Sequence, residues 1–321
     1  MGVSALGSFG ALTLRIWQMR SSAAEQGVDS RPTRGLRIAM LGIDGIGKTS
    51  LACCLRDWFA SRGRECEIVS WRRLVESGAC EQPFPATAIR ELWVEDWRLL
   101  YGGGHAGTRV LDSDIPSEFG AFSDLNIEGR FPSLVSDVHA SGPLASGLVE
   151  AALDFLIESE VVLPLVSRGV SVIRESYGLK PVLKSMLIAK KCASETLPPD
   201  VVDRVVTNVT RLYSDPYLQP EIGIFIDGSP EVALRRRLAQ DRRVGVAEDY
   251  GLAGIDGMTS FISLQEDCAR IFRKLAEEWG WYRLEPGERQ PGELCAEIAQ
   301  ALLEPRFSPN GHVSFPSEGS S

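Results

Sequence analysis

The sequence predicts an α/β protein in which a five-stranded parallel sheet carries helices on both faces. Short apolar runs alternate with longer segments of helical periodicity, which is the pattern of parallel strands joined by helices. The first apolar run leads straight into a glycine-rich turn and then into a helix. With 321 residues, 44% of them hydrophobic, the chain can bury the core that such a sheet requires.

Five short apolar runs, each bounded by glycine or polar residues, are the predicted strands. In chain order they are Leu36–Leu41, Glu67–Trp71, Val170–Arg174, Ile222–Asp227 and Trp281–Leu284. Runs this short and apolar are typical of strands that helices cover on both faces.

The predicted helices are longer segments in which apolar residues recur every three or four positions. In chain order they are Lys48–Arg62, Ala86–Tyr101, Leu144–Ser167, Leu179–Lys191, Pro199–Tyr213, a helix that begins at Ser229-Pro230-Glu231, and Ser260–Trp279. Serine before the first turn, proline at its first position and an acid within it all favour a helix start at residues 229–231.

The domain organisation follows from shifts in composition. Residues 1–35 are rich in Ser, Gly and Ala without a sustained period, and we interpret them as a disordered extension or as a start codon placed too early. Residues 36–304 form the predicted domain. Gly, Pro, Ser and Asp dominate residues 102–143, which predicts a long loop or small insertion, and residues 305–321 predict a polar, disordered tail.

Charge and cysteine usage exclude several classes of protein. The net charge of -9 argues against a general nucleic-acid-binding surface, which would have to be basic. No stretch is long and apolar enough to predict a membrane span. Seven cysteines without a CxxC pair, and only three histidines, favour reduced thiols in a cytoplasmic protein over a disulfide framework or a structural zinc site.

The segment from Gly42 to Ser50 carries the chemistry. It matches the pattern Gly-x-x-x-x-Gly-Lys-Thr, in which glycines let backbone N–H groups turn inward around phosphates and the following helix directs its positive end at them. Lys48 is expected to reach the β- and γ-phosphates of ATP, and Thr49 to offer its hydroxyl to Mg²⁺. The residues expected at the nucleotide are Gly42, Asp44, Gly45, Ile46, Gly47, Lys48, Thr49 and Ser50.

Several segments besides this loop carry a resemblance to a known family. Residues 38–50, 151–177, 224–236 and 261–284 together resemble the thymidylate kinase family, over roughly Leu36 to Leu284 without the 102–143 segment. The resemblance implies the three-layer P-loop NTPase fold, ATP and Mg²⁺ as cofactors, and phosphoryl transfer to a small molecule. It also implies that Asp44, at the third loop position, hydrogen-bonds a ribose hydroxyl of the acceptor.

The departures from that family concern the acceptor side. Where the family has Asp-Arg-Tyr, this chain has Glu175-Ser176-Tyr177, and where its long helix presents an arginine, our alignment places Asp154. Replacing arginine by aspartate reverses the local charge and disfavours the same monophosphate in the same pose. The family's Arg-Glu-Pro-Gly segment is also missing, and Trp71-Arg72-Arg73 stands there. Arg72, Arg73, Lys180 and Lys184 are the cations that could compensate.

Further site residues follow from position and charge. The basic run at Arg235–Arg237 and Arg242–Arg243 predicts a lid over the phosphates, with Arg236 and Arg243 as catalytic candidates beside Lys48. Glu175, at the end of a buried strand, is the predicted acid–base residue and Mg²⁺ ligand with Thr49, and Asp227 is the alternative ligand. Asp44, Arg72 and Tyr177 are the predicted substrate-binding residues. Trp93 and Trp97 could stack on a base, although their spacing favours core packing.

Two functions are consistent with these residues. The first is an ATP-dependent phosphotransferase acting on a nucleotide, nucleoside or other small metabolite, with dTMP a poor acceptor. The second is an ATP-binding switch that hydrolyses slowly and regulates a partner, which the missing arginines and the 102–143 insertion favour. We expect a small-molecule acceptor as partner, neither nucleic acid nor membrane, and leave a homodimer open.

Overall fold

The structure is a computed structural model that describes residues 34–70, 74, 83–101, 105–106, 109–110, 115–124, 139–192, 197–241, 244–245, 247–252 and 254–307. Every described residue belongs to one compact unit, which begins at Arg34. Disorder was predicted for residues 1–35 and 305–321, and apart from residues 34–35 and 305–307 these segments lie outside the described residues.

A five-stranded, all-parallel sheet forms the centre of this unit. The strands in chain order are β1 (Arg37–Leu41), β2 (Cys66–Val69), β3 (His105–Ala106), β4 (Arg109–Val110), β5 (Ser171–Arg174), β6 (Ile222–Ile226) and β7 (Tyr282–Leu284). The sheet order is β2-β5-β1-β6-β7, while β3 and β4 form a separate antiparallel pair. The predicted fold class, the three-layer P-loop NTPase fold, is confirmed, with β1 in the middle of the sheet.

Helices connect the strands. They are α1 (Lys48–Ala60), α2 (Pro83–Tyr101), α3 (Phe119–Asp124), α4 (Ser141–Ile157), α5 (Leu163–Ser167), α6 (Leu179–Lys191), α7 (Pro199–Tyr213), α8 (Pro230–Asp241), α9 (Gly257–Glu278), α10 (Pro291–Ile298) and α11 (Glu304–Phe307). Short π-helical turns, Glu158–Val162 and Ala299–Leu303, join α4 to α5 and α10 to α11. None of the described helices combines the length and apolarity needed to cross a bilayer.

The sheet interior explains why the strands are so apolar. All four residues of β5 and the last four of β1 are buried, because helices cover both faces. The register pairs Ala39 of β1 with Arg174 of β5 and Met40 with Ile224 of β6. The carboxyl ends of β1 and β5 therefore lie side by side, which brings the segments that follow them to one edge of the sheet.

Several boundaries differ from the sequence prediction. The helix predicted from Leu144 begins at Ser141, and the described part of the 102–143 segment contains β3, β4 and α3 rather than loop alone. At the other end, α11 runs to Phe307, whose ring packs 5.8 Å from that of Phe59. The folded body thus continues past residue 304, because an aromatic contact with α1 holds the last helical turn against the core.

Candidate functional site

The loop between β1 and α1, residues 42–47, has the backbone shape that glycine permits, and we call it the phosphate loop after its predicted ligand. Gly45 and Gly47 lie in the left-handed region, with φ of 75° and 100°. A Cβ on Gly45 would also lie 2.7 Å from the carbonyl oxygen of Ala233 in α8, and one on Gly42 would lie 2.9 Å from that of Ile226 in β6. Side chains at these positions would therefore push α8 or β6 away from the loop.

The first turn of α1 is open and electrostatically suited to an anion. Gly47 is the residue before the helix, no side chain caps it, and the first turn contains no acidic residue. Gly47, Thr49 and Ser50 are exposed. Helix N-terminal N–H groups without competing carboxylates attract phosphate. The first turn of α1 therefore presents a surface suited to an anion, and Thr49 is exposed on it.

The Lys48 side chain is buried beneath this loop. Its Nζ donates hydrogen bonds to the carbonyl oxygens of Gly42, at 3.0 Å, and Ile43, at 2.6 Å. Burial lowers the pKa of Lys48, the nearby Lys180 lowers it further, and Asp44 acts in the opposite direction. A lysine held by backbone carbonyls in this way stands ready to exchange them for phosphate oxygens, which are stronger acceptors.

Two further lysines join the loop at Asp44. Lys180 and Lys184, one helical turn apart on α6, both form ion pairs with the Asp44 carboxylate, the second at 2.8 Å. Burial alone would raise the pKa of Asp44, but Lys180, Lys184 and Lys48 together lower it well below its usual value. Lys180 and Lys184 thus share one carboxylate, and Lys48 lies close enough to lower the pKa of the same group, so basic side chains outnumber Asp44 beside the phosphate loop.

This arrangement revises the role predicted for Asp44. Its Oδ1 meets Lys180, and its Oδ2 accepts hydrogen bonds from Lys184 and, at 3.2 Å, from Gln265. A carboxylate so fully engaged is poorly placed to bind a ribose hydroxyl as well. Asp44 is better described as the residue that orients Lys180 and Lys184, two of the four cations proposed as replacements for the missing arginines.

Gln265 of α9 was missed by sequence reasoning. The side chain is fully buried, and its Oε1 accepts a hydrogen bond from the backbone N–H of Asp44 at 2.9 Å. Its Nε2 donates to Asp44 Oδ2 and, at 2.8 Å, to the carbonyl oxygen of Glu248. A glutamine within an apolar helical face was the available signal, because a buried amide requires hydrogen-bond partners.

Arg236, on α8, contacts the loop directly. One guanidinium nitrogen donates to the carbonyl oxygen of Ile46 at 3.1 Å and another to that of Gly287 at 2.8 Å. The predicted catalytic arginine therefore lies at the phosphate loop. Arg243 and Arg72, the other two predicted arginines, lie outside the described residues.

Glu175 follows β5 at the same edge of the sheet. Two residues further on, the backbone N–H of Tyr177 donates a hydrogen bond to the carbonyl oxygen of Met40 at 2.9 Å, which holds this turn against the end of β1. Glu175 Oε2 is shielded from solvent and has no hydrogen-bond partner among the described residues. No ion pair joins Glu175 to Arg174 or Lys180 in that part of the chain, so the alternative of a purely structural ion pair with either residue lacks support.

Tyr177 does not join this cluster. Its side chain is 1% exposed and packs edge-on against the rings of Tyr213 and Trp281. The hydroxyl donates toward the backbone carbonyl oxygens of Tyr213 and Leu218 at 3.3 and 3.2 Å. The prediction that Tyr177 binds substrate fails because its side chain points into the core.

Asp227 is also occupied. Arg273 Nε lies 3.0 and 3.1 Å from its two carboxylate oxygens, and Arg283 adds a contact at 2.7 Å. Two guanidinium groups satisfy this buried carboxylate, so it is a poor candidate for the alternative Mg²⁺ ligand. Across the described residues, no group of three or more His, Cys, Asp and Glu side chains is arranged for a metal.

Asp154 pairs with a residue of β5 rather than with the phosphate loop. Its carboxylate forms a buried ion pair with Arg174, the last residue of β5. Glu158, in the π-helical turn, adds two ion pairs to this network. Its carboxylate oxygens lie 3.7 Å from a guanidinium nitrogen of Arg174 and 2.8 Å from one of Arg37. The residue aligned with an acceptor-binding arginine is therefore part of a structural network of balanced charge.

The two tryptophans on α2 are packing residues. The Trp97 ring lies 5.4 Å from that of Tyr101 and 6.0 Å from that of Phe122, and Trp93 packs against the same core. Beside them, the buried Asp96 accepts a hydrogen bond from Ser146 at 2.6 Å. The packing alternative for the tryptophans is thus the one that the geometry favours.

Comparison with known proteins leaves function to be argued from these residues. No protein-family model matches the chain, and no curated protein matches it. Among solved structures, the chain is similar to deoxyadenosine kinase from M. mycoides with bound dATP. The alignment covers 83% of this chain and 100% of that one, with 13% sequence identity and a TM-score of 0.44.

Proposed function

We propose that this protein is an ATP-dependent phosphotransferase with a small-molecule acceptor, divergent from the thymidylate-kinase-like class at its acceptor side. One observation carries the proposal: Lys48, Lys180 and Lys184 converge on Asp44 beside a left-handed glycine loop. Phosphoryl transfer requires chiefly positioning and the neutralisation of developing negative charge. A cluster of three lysines around one carboxylate at the phosphate loop would supply both.

The residues present fit ATP and Mg²⁺. The glycine loop and the uncapped start of α1 would cradle the phosphates, and Thr49 and Glu175 would hold the ion or its water ligands. Mg²⁺ in such sites is bound by one or two protein oxygens together with phosphate oxygens, so a cage of several carboxylates is not needed. When bound, the ion neutralises negative charge on the phosphates.

The chain's own residues then have distinct tasks. Lys48 would leave its carbonyl partners for the phosphates, and Lys180 and Lys184 would hold positive charge beside the transferred group. Glu175, with an unpartnered carboxylate oxygen at the end of β5, would accept a proton from an acceptor hydroxyl. Arg236 would support the loop at Ile46.

The first experiment measures ATP turnover by the full chain with Mg²⁺, before and after adding a pool of nucleosides and nucleoside monophosphates. We expect turnover to rise with the pool and Lys48→Ala to abolish it, because no other loop side chain replaces this charge. Lys190→Ala is the matched control, since this exposed lysine on α6 pairs with Asp203 and should leave turnover unchanged. Undiminished turnover by Lys48→Ala would refute the assignment.

The pool experiment also separates the alternative function. An ATP-binding switch would hydrolyse slowly at a rate that the pool does not change. Stimulation by one compound of the pool would instead name the acceptor and end the case for a switch.

The proposal excludes dTMP as an efficient acceptor. Ser176 stands where the resembled family has arginine, and Asp154 is bound to Arg174 instead of facing the cleft. Each lost charged hydrogen bond to a phosphate costs about 1.5–3 kcal/mol, so two lower the specificity constant for dTMP by about two to four decades. Steady-state kinetics with dTMP at thymidylate-kinase-like efficiency would contradict this part of the proposal.

A further inference from the structure

Gln265 connects three parts of the molecule that are distant in sequence. It belongs to α9, yet its amide forms hydrogen bonds with Asp44 in the phosphate loop and with Glu248. Glu248 lies between α8 and α9, where residues 244–245 and 247–252 are described, and we call these residues the Glu248 segment. The side chain has no exposure to solvent, so its three hydrogen bonds are made entirely within the protein.

The orientation of the Gln265 amide follows from its partners. The Asp44 N–H needs an acceptor, whereas the Asp44 carboxylate and the Glu248 carbonyl need donors. A flipped amide would place its NH₂ group against the N–H and its oxygen against two oxygens. Only the observed orientation satisfies all three groups, so the amide is locked in place.

The Glu248 segment is in turn bound to α8. The Glu248 carboxylate is buried and accepts hydrogen bonds from Arg237 Nε at 2.7 Å and from the backbone N–H of Gly245 at 2.9 Å. The neighbouring residue of α8, Arg236, contacts the phosphate loop at Ile46. The loop is therefore held at two points, at Ile46 by α8 and at Asp44 by Gln265.

We infer that Gln265 is a positioning residue for phosphoryl transfer. It fixes both the backbone and the carboxylate of Asp44, and through that carboxylate it sets the place of Lys180 and Lys184. It also joins this lysine pair to the Glu248 segment, so the phosphate loop and that segment are coupled through one buried amide. The catalytic part of this inference rests on the proposed function, whereas the anchoring of Asp44 does not.

Ser260 provides a matched control on the same helix. It is buried on α9, and its Oγ accepts a hydrogen bond from the backbone N–H of Tyr250 at 2.9 Å. Ser260→Ala therefore removes a contact between α9 and the Glu248 segment but leaves Asp44 untouched. Gln265→Leu removes the hydrogen bonds to Asp44 and to the Glu248 segment and nearly preserves the side-chain volume.

The test measures hydrogen exchange at single amides and MgADP binding by calorimetry. In Gln265→Leu the Asp44 amide should exchange at least about tenfold faster because it loses its acceptor, while the Tyr250 amide is unchanged because it keeps its own acceptor, Ser260 Oγ. Ser260→Ala should show the reverse. MgADP should bind at least about tenfold more weakly to Gln265→Leu and within about twofold of wild type to Ser260→Ala.

Equal acceleration of both amides in both variants, or wild-type binding of MgADP by Gln265→Leu, would overturn the inference. Should Gln265→Leu not fold, Gln265→Asn keeps the amide but shortens it by one methylene, and the same comparison applies. A wild-type protein that binds no MgADP would refute the proposed function, and the exchange of the two amides would still decide whether Gln265 anchors Asp44.

Discussion

At the scale of single residues, the four carboxylates discussed above differ in whether a basic side chain pairs with them. Asp44 has three basic or amide partners, Asp227 has two arginines, and Asp154 has Arg174. Buried carboxylate oxygens without a hydrogen-bond partner in the described structure occur on Asp154 and on Glu175, but the other oxygen of Asp154 pairs with Arg174, whereas Glu175 forms no ion pair with a described residue. Because an unsatisfied buried oxygen costs free energy, its retention beside the phosphate loop favours a chemical role.

Glu175→Gln should lower turnover by about 10²–10⁴-fold, the range for loss of a positioned acid–base group. The amide cannot accept a proton and is a poorer ligand for a divalent ion, whereas the loop that binds ATP is unchanged. ATP affinity should therefore stay close to that of the wild type. Steady-state rates and binding isotherms measured on one preparation test both statements.

Asp227→Asn is the contrasting variant. It leaves Arg273 and Arg283 without their buried carboxylate, so it should lower the melting temperature yet keep the rate per folded molecule. If Glu175→Gln behaved in the same way, with lost stability and a near-normal rate, Glu175 would have to be removed from the site.

At the scale of secondary-structure elements, the turn between β5 and α6 holds the site in place. Arg174 ends β5, Glu175 follows, and Lys180 and Lys184 lie on α6, so one β–turn–α unit carries four of the charged groups discussed above. Asp154 of α4 packs under this turn, where it binds Arg174 and fills the space next to Gly178. The position of the turn thus depends on α4.

Gly178→Ala should destabilise the protein by about 1–3 kcal/mol through overpacking. Gly178 has an ordinary helical backbone, with φ of -58° and ψ of -25°, so strain is not the cause. Its Cβ would overlap the Asp154 carboxylate, which is already bound to Arg174 and cannot move freely. Urea unfolding of wild type and variant measures the difference.

Gly292→Ala is the control for this prediction. Gly292 lies in α10, and a Cβ there would have no heavy atom within 4 Å. Alanine should be neutral or stabilising at such a site, by up to about 1 kcal/mol. Equal losses in both variants would show that backbone effects, rather than the Asp154 contact, determine the outcome at Gly178.

At the scale of the whole molecule, a buried carboxylate cluster makes stability depend on pH. Asp96 of α2 and Glu150 of α4 are close neighbours of Ser146, Lys184 and Tyr101. Burial raises the pKa of Asp96 to about 7, against a smaller opposing effect of the Ser146 hydrogen bond. Burial and the nearby Asp96 also raise the pKa of Glu150, which Lys184 opposes.

Asp96→Asn should flatten the pH dependence of the free energy of unfolding. Below about pH 4 Asp96 is protonated in both states, and above that value the unfolded chain releases the proton while the folded protein retains it up to about pH 7. As the pH rises across that window, titration of Asp96 therefore lowers the free energy of unfolding of the wild type by up to about 1.4 kcal/mol per pH unit. Asparagine cannot titrate but can still accept the bond from Ser146.

Urea unfolding at pH 5 and pH 7 measures this effect, and Glu95→Gln, an exposed carboxylate on the same helix, is the control. The variant Asp96→Asn should gain stability relative to wild type as the pH rises, whereas Glu95→Gln should follow the wild type. Parallel pH profiles for Asp96→Asn and wild type would show that Asp96 does not titrate in this window.

The sequence by itself determined the features that depend on neighbouring residues. The glycines, Lys48 and the start of α1 lie within one short segment, so the local pattern predicted a glycine loop followed by a helix, and the structure has both there. The alternation of strands and helices also predicted the sheet, and with it the position of Glu175 at the carboxyl edge, because parallel strands present that edge together.

Only the tertiary structure decided which charges meet. Asp44 pairs with Lys180, which is 136 residues away in the sequence, and with Gln265, which is 221 residues away, and no periodicity along the chain predicts such a pairing. Likewise the burial of Tyr177 and the pairing of Asp154 with Arg174 depend on how α4, α6 and α7 pack around the end of β5. Buried polar groups must find partners wherever packing places them, so side-chain roles at this site emerged only with the complete core.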